Sequence, residues 1–152
     1  MQILKKLWCS FFFMEEGDIY SLLRIILKRL DNQPLVWRLD GSANLRVQGV
    51  DVSVHDLDIK TNKEGLRIFK ECFKDCDVKE SYKEDIDGTV VSFILEGFPV
   101  EVIDNKYNML HRIKFVTFQA MSLPILPLKE AREFYTAIGR EKTVAVLDRH
   151  LG

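Results

Sequence analysis

Cysteine is scarce, with 3 residues among 152, and Cys9, Cys72 and Cys76 follow no zinc-type spacing. A small odd count excludes a disulfide framework and suits reduced thiols in a cytoplasmic setting. An excess of charge of one sign is also missing. The formal net charge is −1, so no global basic field draws the chain to nucleic acid or to an anionic membrane. Long apolar runs are absent too. The N-terminal "MQILKKLWCSFFFMEEGD" holds only about eight mostly apolar residues in a row, too few to cross a bilayer. No A-x-A-like site follows them, which argues against a signal peptide. Internal repeats, low-complexity stretches and long linkers are likewise missing. What remains is a chain with 47% apolar residues, enough for a core of its own. Met14 stands directly before an acidic helix start, so residues 1–13 read as a tail or upstream extension and residues 14–152 as a single domain.

Ile19, Leu22, Leu23, Ile26, Leu27 and Leu30 share one helical face, with Asp18 as the expected N-cap. "LVWRL" reads as a buried strand, followed at Gly41-Ser42 by a short helix over about Ala43 to Gln48, which Gly49 can close in the left-handed region. "VDVSVHDLDIKT" reads as one strand. "NKEGLRIFKECFKDC" reads as an amphipathic helix capped by Asn62, with Cys72 and Cys76 on its packing face. Three antiparallel strands follow over Val78–Lys83, Thr89–Leu95 and Phe98–Ile103, joined at Asp87-Gly88 and Glu96-Gly97. Pro99 argues that the last of these begins at a sheet edge or bulge. "NKYNMLHRIKF" fits either a helix or an irregular crossover. "LPILPLKEAREFYTAIGREKTVAVLDRHLG" reads as two helices meeting near Gly139, with Pro127 in the first turn.

One segment does not read as plain core. Period two puts Val52, Val54, Asp56 and Asp58 on one strand face and His55 on the other. Two carboxylates pointing the same way repel, and a cation removes the conflict. Alternate strand residues are about 7 Å apart, a spacing from which side chains converge on metal ions roughly 4 Å apart. An all-oxygen site suits Mg²⁺. Gly41-Ser42 offers backbone N–H groups and a hydroxyl to phosphate oxygens, although Ser42 also fits a helix N-cap. Glu101, between Val100 and Val102, is out of place in a core strand and is the candidate third carboxylate or proton acceptor. Asp104 is the fallback. The plainer readings are solvated edge-strand acids for Asp56 and Asp58, and exposure or pairing with a lysine for Glu101. Arg140 and Lys142 fit either a lean toward a nucleotide or an exposed helix start.

Gly41-Ser42, a gap of thirteen residues, Asp56-Leu57-Asp58-Ile59 and then Val100-Glu101-Val102 resemble the signature of the polymerase-beta-type nucleotidyltransferase superfamily. Val47-Gln48-Gly49 and the closing "YTAIGREK" resemble its small stand-alone members, similar to antibiotic nucleotidyltransferases and to the nucleotidyltransferase halves of toxin–antitoxin or abortive-infection systems. The likeness runs from about Leu35 to Lys142. It implies an α/β (α+β) fold: a mixed, partly antiparallel sheet of about five strands, with helices on one face and C-terminal helices beyond. It implies a two-metal Mg²⁺ site on Asp56, Asp58 and Glu101, and an NTP, ATP being expected, held by Gly41 and Ser42; Arg140 and Lys142 stand beside these as candidate nucleotide contacts. The activity implied is transfer of a nucleoside monophosphate to an acceptor hydroxyl on a small molecule, protein or RNA. The alternative is a catalytically weak NTP-binding module regulating a small helical partner protein. Two departures stand out. Asp40 precedes Gly-Ser where a hydrophobic residue is usual, and the substantial C-terminal substrate domain of many antibiotic-modifying members is not expected here.

Overall fold

The computed structural model describes residues 13–152. Cys9 and nearly all of the stretch read as a tail, residues 1–12, lie outside the described residues. The first helix among the described residues, α1 (Glu16–Arg29), buries Ile19, Leu22, Leu23 and Ile26 completely, the i, i+3, i+4, i+7 stripe of an amphipathic helix. It starts earlier than the periodicity predicts. Glu15 is the N-cap, and Asp18 lies three residues on, accepting from the Glu15 N–H at 3.0 Å. An acidic side chain in that position reaches back over the first turn as readily as it caps one.

The other elements are β1 (Trp37–Asp40), α2 (Gly41–Arg46), β2 (Leu57–Thr61), α3 (Lys63–Cys72), β3 (Lys79–Lys83), β4 (Gly88–Leu95), β5 (Phe98–Asp104), β6 (Lys114–Phe118), β7 (Met121–Ile125), α4 (Leu128–Ala137) and α5 (Glu141–Leu151). β1 to β5 form one sheet in the order β1-β2-β5-β4-β3. The β2–β5 pair is parallel and the other pairings are antiparallel. One sheet face carries Leu39, Leu57, Ile59, Val91, Phe93, Val100 and Val102, all in the core with α1 and α3. Phe73 stacks on Phe93 at 4.6 Å, and Trp37 meets Phe69 edge-on at 6.2 Å. Cys72 and Cys76 are free and half-buried against this core, in keeping with packing roles. A second, smaller cluster joins Leu45 and Val50 to Leu126, Ala131, Tyr135 and Leu147, seating α4 and α5 on the short helix α2.

The expected strand over residues 50–61 is a strand only from Leu57. β1 ends at Asp40, opposite Asp58, so the preceding residues have no ladder partner. Their backbone is satisfied otherwise: Arg46 Nη1 donates to the Val52 carbonyl at 3.0 Å, and the Met14 N–H donates to the Val54 carbonyl at 2.6 Å. Pro99 is not at a sheet edge, because β5 lies between β2 and β4. Proline is tolerated there because pairing with β2 begins only at Val100, at the strand's first turn inward. Of the ambiguous stretch, residues 105–113 form an irregular crossover with one 3₁₀ turn at Leu110–Arg112, and its end opens a hairpin, β6–β7, whose second strand takes in the start of the segment read as helical. Its turn is Gln119-Ala120, with φ of 46° and 68°. Such two-residue turns usually announce themselves with asparagine or glycine, and this one does not.

Candidate active site

The sheet face away from α1 and α3 is polar, and strand register lines it up. Asp40 on β1 is opposite Asp58 on β2, Asp58 is opposite Glu101 on β5, and Glu101 is opposite Ser92 on β4. Asp56 joins them from the bend before β2. Carboxylate oxygens of Asp56, Asp58 and Glu101 lie within 4.8 Å of one another. The structure therefore brings these three acids together, although Asp56 arrives from a loop and not by strand alternation. Asp104, the fallback, lies on the opposite parity, paired with Thr89, and stays out of the cluster.

Gly41 stands at the rim of this cluster. Its φ is +58°, and a Cβ there would lie 2.6 Å from Asp58 Oδ2. Only glycine lets the backbone come so close to the carboxylate while turning from β1 into α2. Ser42 is half-buried and does not cap α2, whose N-cap position is Asp40. Its hydroxyl makes no hydrogen bond among the described residues.

Charge balance separates Asp40 from the other acids. Arg38 is 1% exposed and donates from Nη1 to Asp40 Oδ1 at 3.1 Å and to the Leu39 carbonyl at 2.9 Å. Its Nε and Nη2 donate to the Asn108 and Tyr107 carbonyls. Lys60, also buried, lies 3.8 Å from the second Asp40 oxygen and donates to Asn105 Oδ1 at 3.2 Å. Asp40 is thus neutralised, so the negative charge that departs from the family pattern is not left facing a ligand. Among the described residues the three clustered acids have one cation in contact, Lys83, at 3.5 Å from Glu101. Like charges at such separations repel by on the order of 3–4 kcal/mol per pair at a near-surface effective dielectric.

Two of the three acids are displaced upward from the usual carboxylate range. Burial first, then the fields of Asp56, Asp40 and Glu101, push the Asp58 carboxyl up to about 8, against the opposing pull of Lys60. Burial and the charge of Glu101 raise Asp56 as well. Burial lowers the Lys60 ammonium, with Asp40 working against it. Among the described residues the cluster offers three carboxylates, the donor chemistry of a hard divalent cation. The raised Asp56 and Asp58 and the backbone cradle at Gly41 fit such an ion.

Arg140 and Lys142 are exposed at the start of α5, with Arg140 in the N-cap position. Among the described residues neither pairs with the three acids. Arg140 does act on the same phenol, Tyr135, that feels Asp40 and Asp58, so it faces this side of the molecule. Arg46 braces the loop before β2 through the Val52 carbonyl and lies 3.9 Å from Glu16. His55 stands edge-on to Phe13 at 4.7 Å, with its Nδ1 buried and without a hydrogen-bond partner among the described residues. Arg38, Lys60, Lys83 and Tyr135 were not singled out from the sequence. For the first two a signal existed: Arg38-x-Asp40 and Asp58-x-Lys60 put a cation and an acid on one face of adjacent strands.

No protein-family model matches the chain, and no curated protein matches it. Solved structures do. A Thermotoga maritima protein provisionally described as a nucleotidyltransferase is 27% identical, with a TM-score of 0.72 over 91% of this chain and 96% of that one. The antibiotic-resistance factor ANT(2″)-Ia matches at 10% identity and a TM-score of 0.64, over 91% of this chain and 86% of its own. The lincosamide antibiotic adenylyltransferase LnuA, in its lincomycin-bound form, matches at 10% identity and 0.62, over 90% and 98%. With its mixed five-strand sheet and its Gly-Ser, Asp-x-Asp and strand-borne Glu in register, the chain is a small protein with the polymerase-beta-type nucleotidyltransferase fold.

Proposed function

We propose that this cleft transfers a nucleoside monophosphate from an NTP, with ATP as the expected donor, to an acceptor hydroxyl, and that residues 14–152 act as one domain in doing so. The observation that carries the reading is the convergence of Asp56, Asp58 and Glu101 within 4.8 Å beside the Gly41 backbone, on a face where other buried charges are already paired. Mg²⁺ on Asp56, Asp58 and Glu101 would supply neutralising charge to the phosphate oxygens and to the attacking oxygen. The chain's own residues do the positioning. The Gly41 and Ser42 backbone and the Ser42 hydroxyl hold the triphosphate, with Arg140 and Lys142 adding positive charge from α5. Glu101 takes the proton of the acceptor hydroxyl. The acceptor oxygen then bonds to the α-phosphorus, the bond from that phosphorus to the α–β bridging oxygen breaks, and pyrophosphate leaves with the electron pair.

The test separates binding from transfer. Calorimetry with ATP and Mg²⁺ is expected to give similar affinity for the wild type and Glu101→Gln, since the triphosphate contacts are elsewhere. Transfer, followed by intact mass on the protein itself or on a hydroxyl acceptor, is expected to fall by about 10²-fold or more in the variant, the scale for losing a positioned base. Absence of ATP binding by the wild type would falsify the reading. Binding without transfer to any acceptor would leave a regulatory nucleotide-binding module instead.

A further inference from the structure

The balanced net charge hides a local asymmetry. From Asn105 to Lys129 the sequence holds no Asp or Glu, yet it holds Lys106, Arg112, Lys114 and Lys129, with His111 beside them. Asp104 and Glu130 bracket the stretch. All four cations are exposed, and none takes part in an ion pair among the described residues. A single solvated lysine is ordinary. Four unpaired cations on one acid-free stretch make a local positive field on a chain whose other charges are mixed. Exposed rings stand among them: Phe115 is 67% exposed and Tyr107 37%.

The near end of this stretch is built into the wall of the cleft. Lys60 donates to Asn105 Oδ1 at 3.2 Å, and Arg38 donates to the Asn108 and Tyr107 carbonyls at 2.8 and 3.4 Å. These are the two buried cations that neutralise Asp40. From here aromatic rings lead toward the acids. Tyr107 meets Phe134 of α4 at 5.4 Å, and Phe134 meets Tyr135 at 5.5 Å. The Tyr135 phenol is close enough to Asp40 and Asp58 to feel both charges. Lys106 Nζ lies 5.1 Å from the Tyr107 ring centroid. Farther along come Arg112, in the 3₁₀ turn, and Lys114, paired with Ile125 at the base of the β6–β7 hairpin, four residues before Lys129.

We infer that this surface docks a single-stranded polynucleotide and presents its 3′-hydroxyl to the three acids as the acceptor. The inference rests on the transfer reading above. A single strand needs cations for its phosphates and ring faces for its bases, and this rim interleaves the two. An acidic peptide would satisfy the cations alone, and a duplex keeps its bases stacked on one another, away from Tyr107 and Phe115. With the terminal nucleotide beside Tyr107, its 3′ oxygen bonds to the α-phosphorus of the bound NTP and its proton passes to Glu101. Pyrophosphate leaves with the electron pair of the broken bond, and the strand gains one nucleotide.

Binding and extension are measured separately on the full chain. A 5′-labelled RNA of about 12 nucleotides, within the range of single-strand site sizes, and a DNA of matching sequence are titrated by fluorescence anisotropy. Saturable binding is expected, falling about tenfold or more between about 50 and 200 mM salt, the loss for some three phosphate contacts. The tighter of the two arms identifies RNA or DNA as the source of the strand. With ATP and Mg²⁺ added, strands ending in a 3′-hydroxyl lengthen on a gel, whereas strands capped by a 3′-phosphate bind and do not. The triple variant Lys106→Gln, Arg112→Gln, Lys114→Gln is expected to bind about tenfold or more weakly at the lower salt. Tyr107→Leu should cost at least about fivefold, the scale of one lost base stack. Unchanged calorimetry with ATP and Mg²⁺ in both variants shows that their fold is intact. No binding of either strand, binding that the triple variant does not weaken, or tighter binding of a poly-glutamate peptide would overturn the polynucleotide surface. Binding without extension while ATP is bound would overturn the acceptor role. Transfer to another hydroxyl acceptor in any of these cases leaves the transfer reading standing, whereas a wild type that binds no ATP brings down both.

Discussion

Asp58 is the residue on which the site's chemistry and the protein's stability meet. Its carboxyl is pushed up to about 8 by burial and by its acidic neighbours, whereas in an unfolded chain it titrates near 3.9. Between those values the folded state holds a proton that the unfolded state has released. Folding stability therefore falls as pH rises through that window. Thermal melts of metal-free protein from pH 4.5 to 8.5 are expected to show this decline. Asp58→Asn, which carries no proton to lose, should flatten it and be neutral or stabilising at pH 8. Identical slopes in the two proteins would mean that Asp58 is not the strained group.

At the scale of elements, the joint between β2 and α3 fixes how the acid-bearing strand sits on the helical layer. Asn62 caps α3 by accepting from the Gly65 N–H at 2.8 Å, while Thr61, wholly buried, donates its hydroxyl to the Val36 carbonyl at 2.7 Å. A Cβ on Gly65 would lie 1.7 Å from Thr61 Oγ1 and 2.8 Å from its Cβ. Helix propensity alone favours Gly65→Ala by up to about 1 kcal/mol. Overpacking against a buried, hydrogen-bonded β-branched residue costs about 1–3 kcal/mol, and the clash here is severe enough to win. Urea denaturation should show a net loss of roughly 1–2 kcal/mol, and a gain in stability would contradict this packing. A similar lock holds the other side of the site: Asn44 accepts from the Leu126 N–H and donates to its carbonyl, both at 2.9 Å. It ties α2 to the chain entering α4.

For the whole molecule, ligand binding and folding are linked. A ligand present at about 100 times its Kd adds about 2.7 kcal/mol to stability, or roughly 5–10 °C in Tm for a chain of this size. ATP with Mg²⁺ should produce a rise of that order in the wild type and little in Asp58→Asn. Equal shifts in the two would show that the nucleotide binds away from the three acids. Among the described residues no helix is long and apolar enough to cross a membrane.

Much of this arrangement was legible in one dimension. The helical stripe from Ile19 to Ile26, the Asn62 cap, the Glu96-Gly97 turn and the break near Gly139 each follow from local spacing and backbone preference, which need no partner. The same holds for the choice of Asp56, Asp58 and Glu101 as misfits in apolar surroundings. The β6–β7 hairpin stayed hidden because its turn uses Gln119 and Ala120 in conformations that sequence assigns to glycine or asparagine. The over-long strand before Leu57 came from reading alternation where no neighbouring strand exists to pair with it. Pairing partners were beyond the sequence for the same reason: periodicity names the face on which a side chain lies, and only strand order decides what lies beside it. Sequence thus determined most of the elements and the choice of acids. Tertiary structure decided that Arg38 and Lys60 belong to Asp40, and that Lys83, distant in the chain, stands against Glu101, because cross-strand register sets which charges meet.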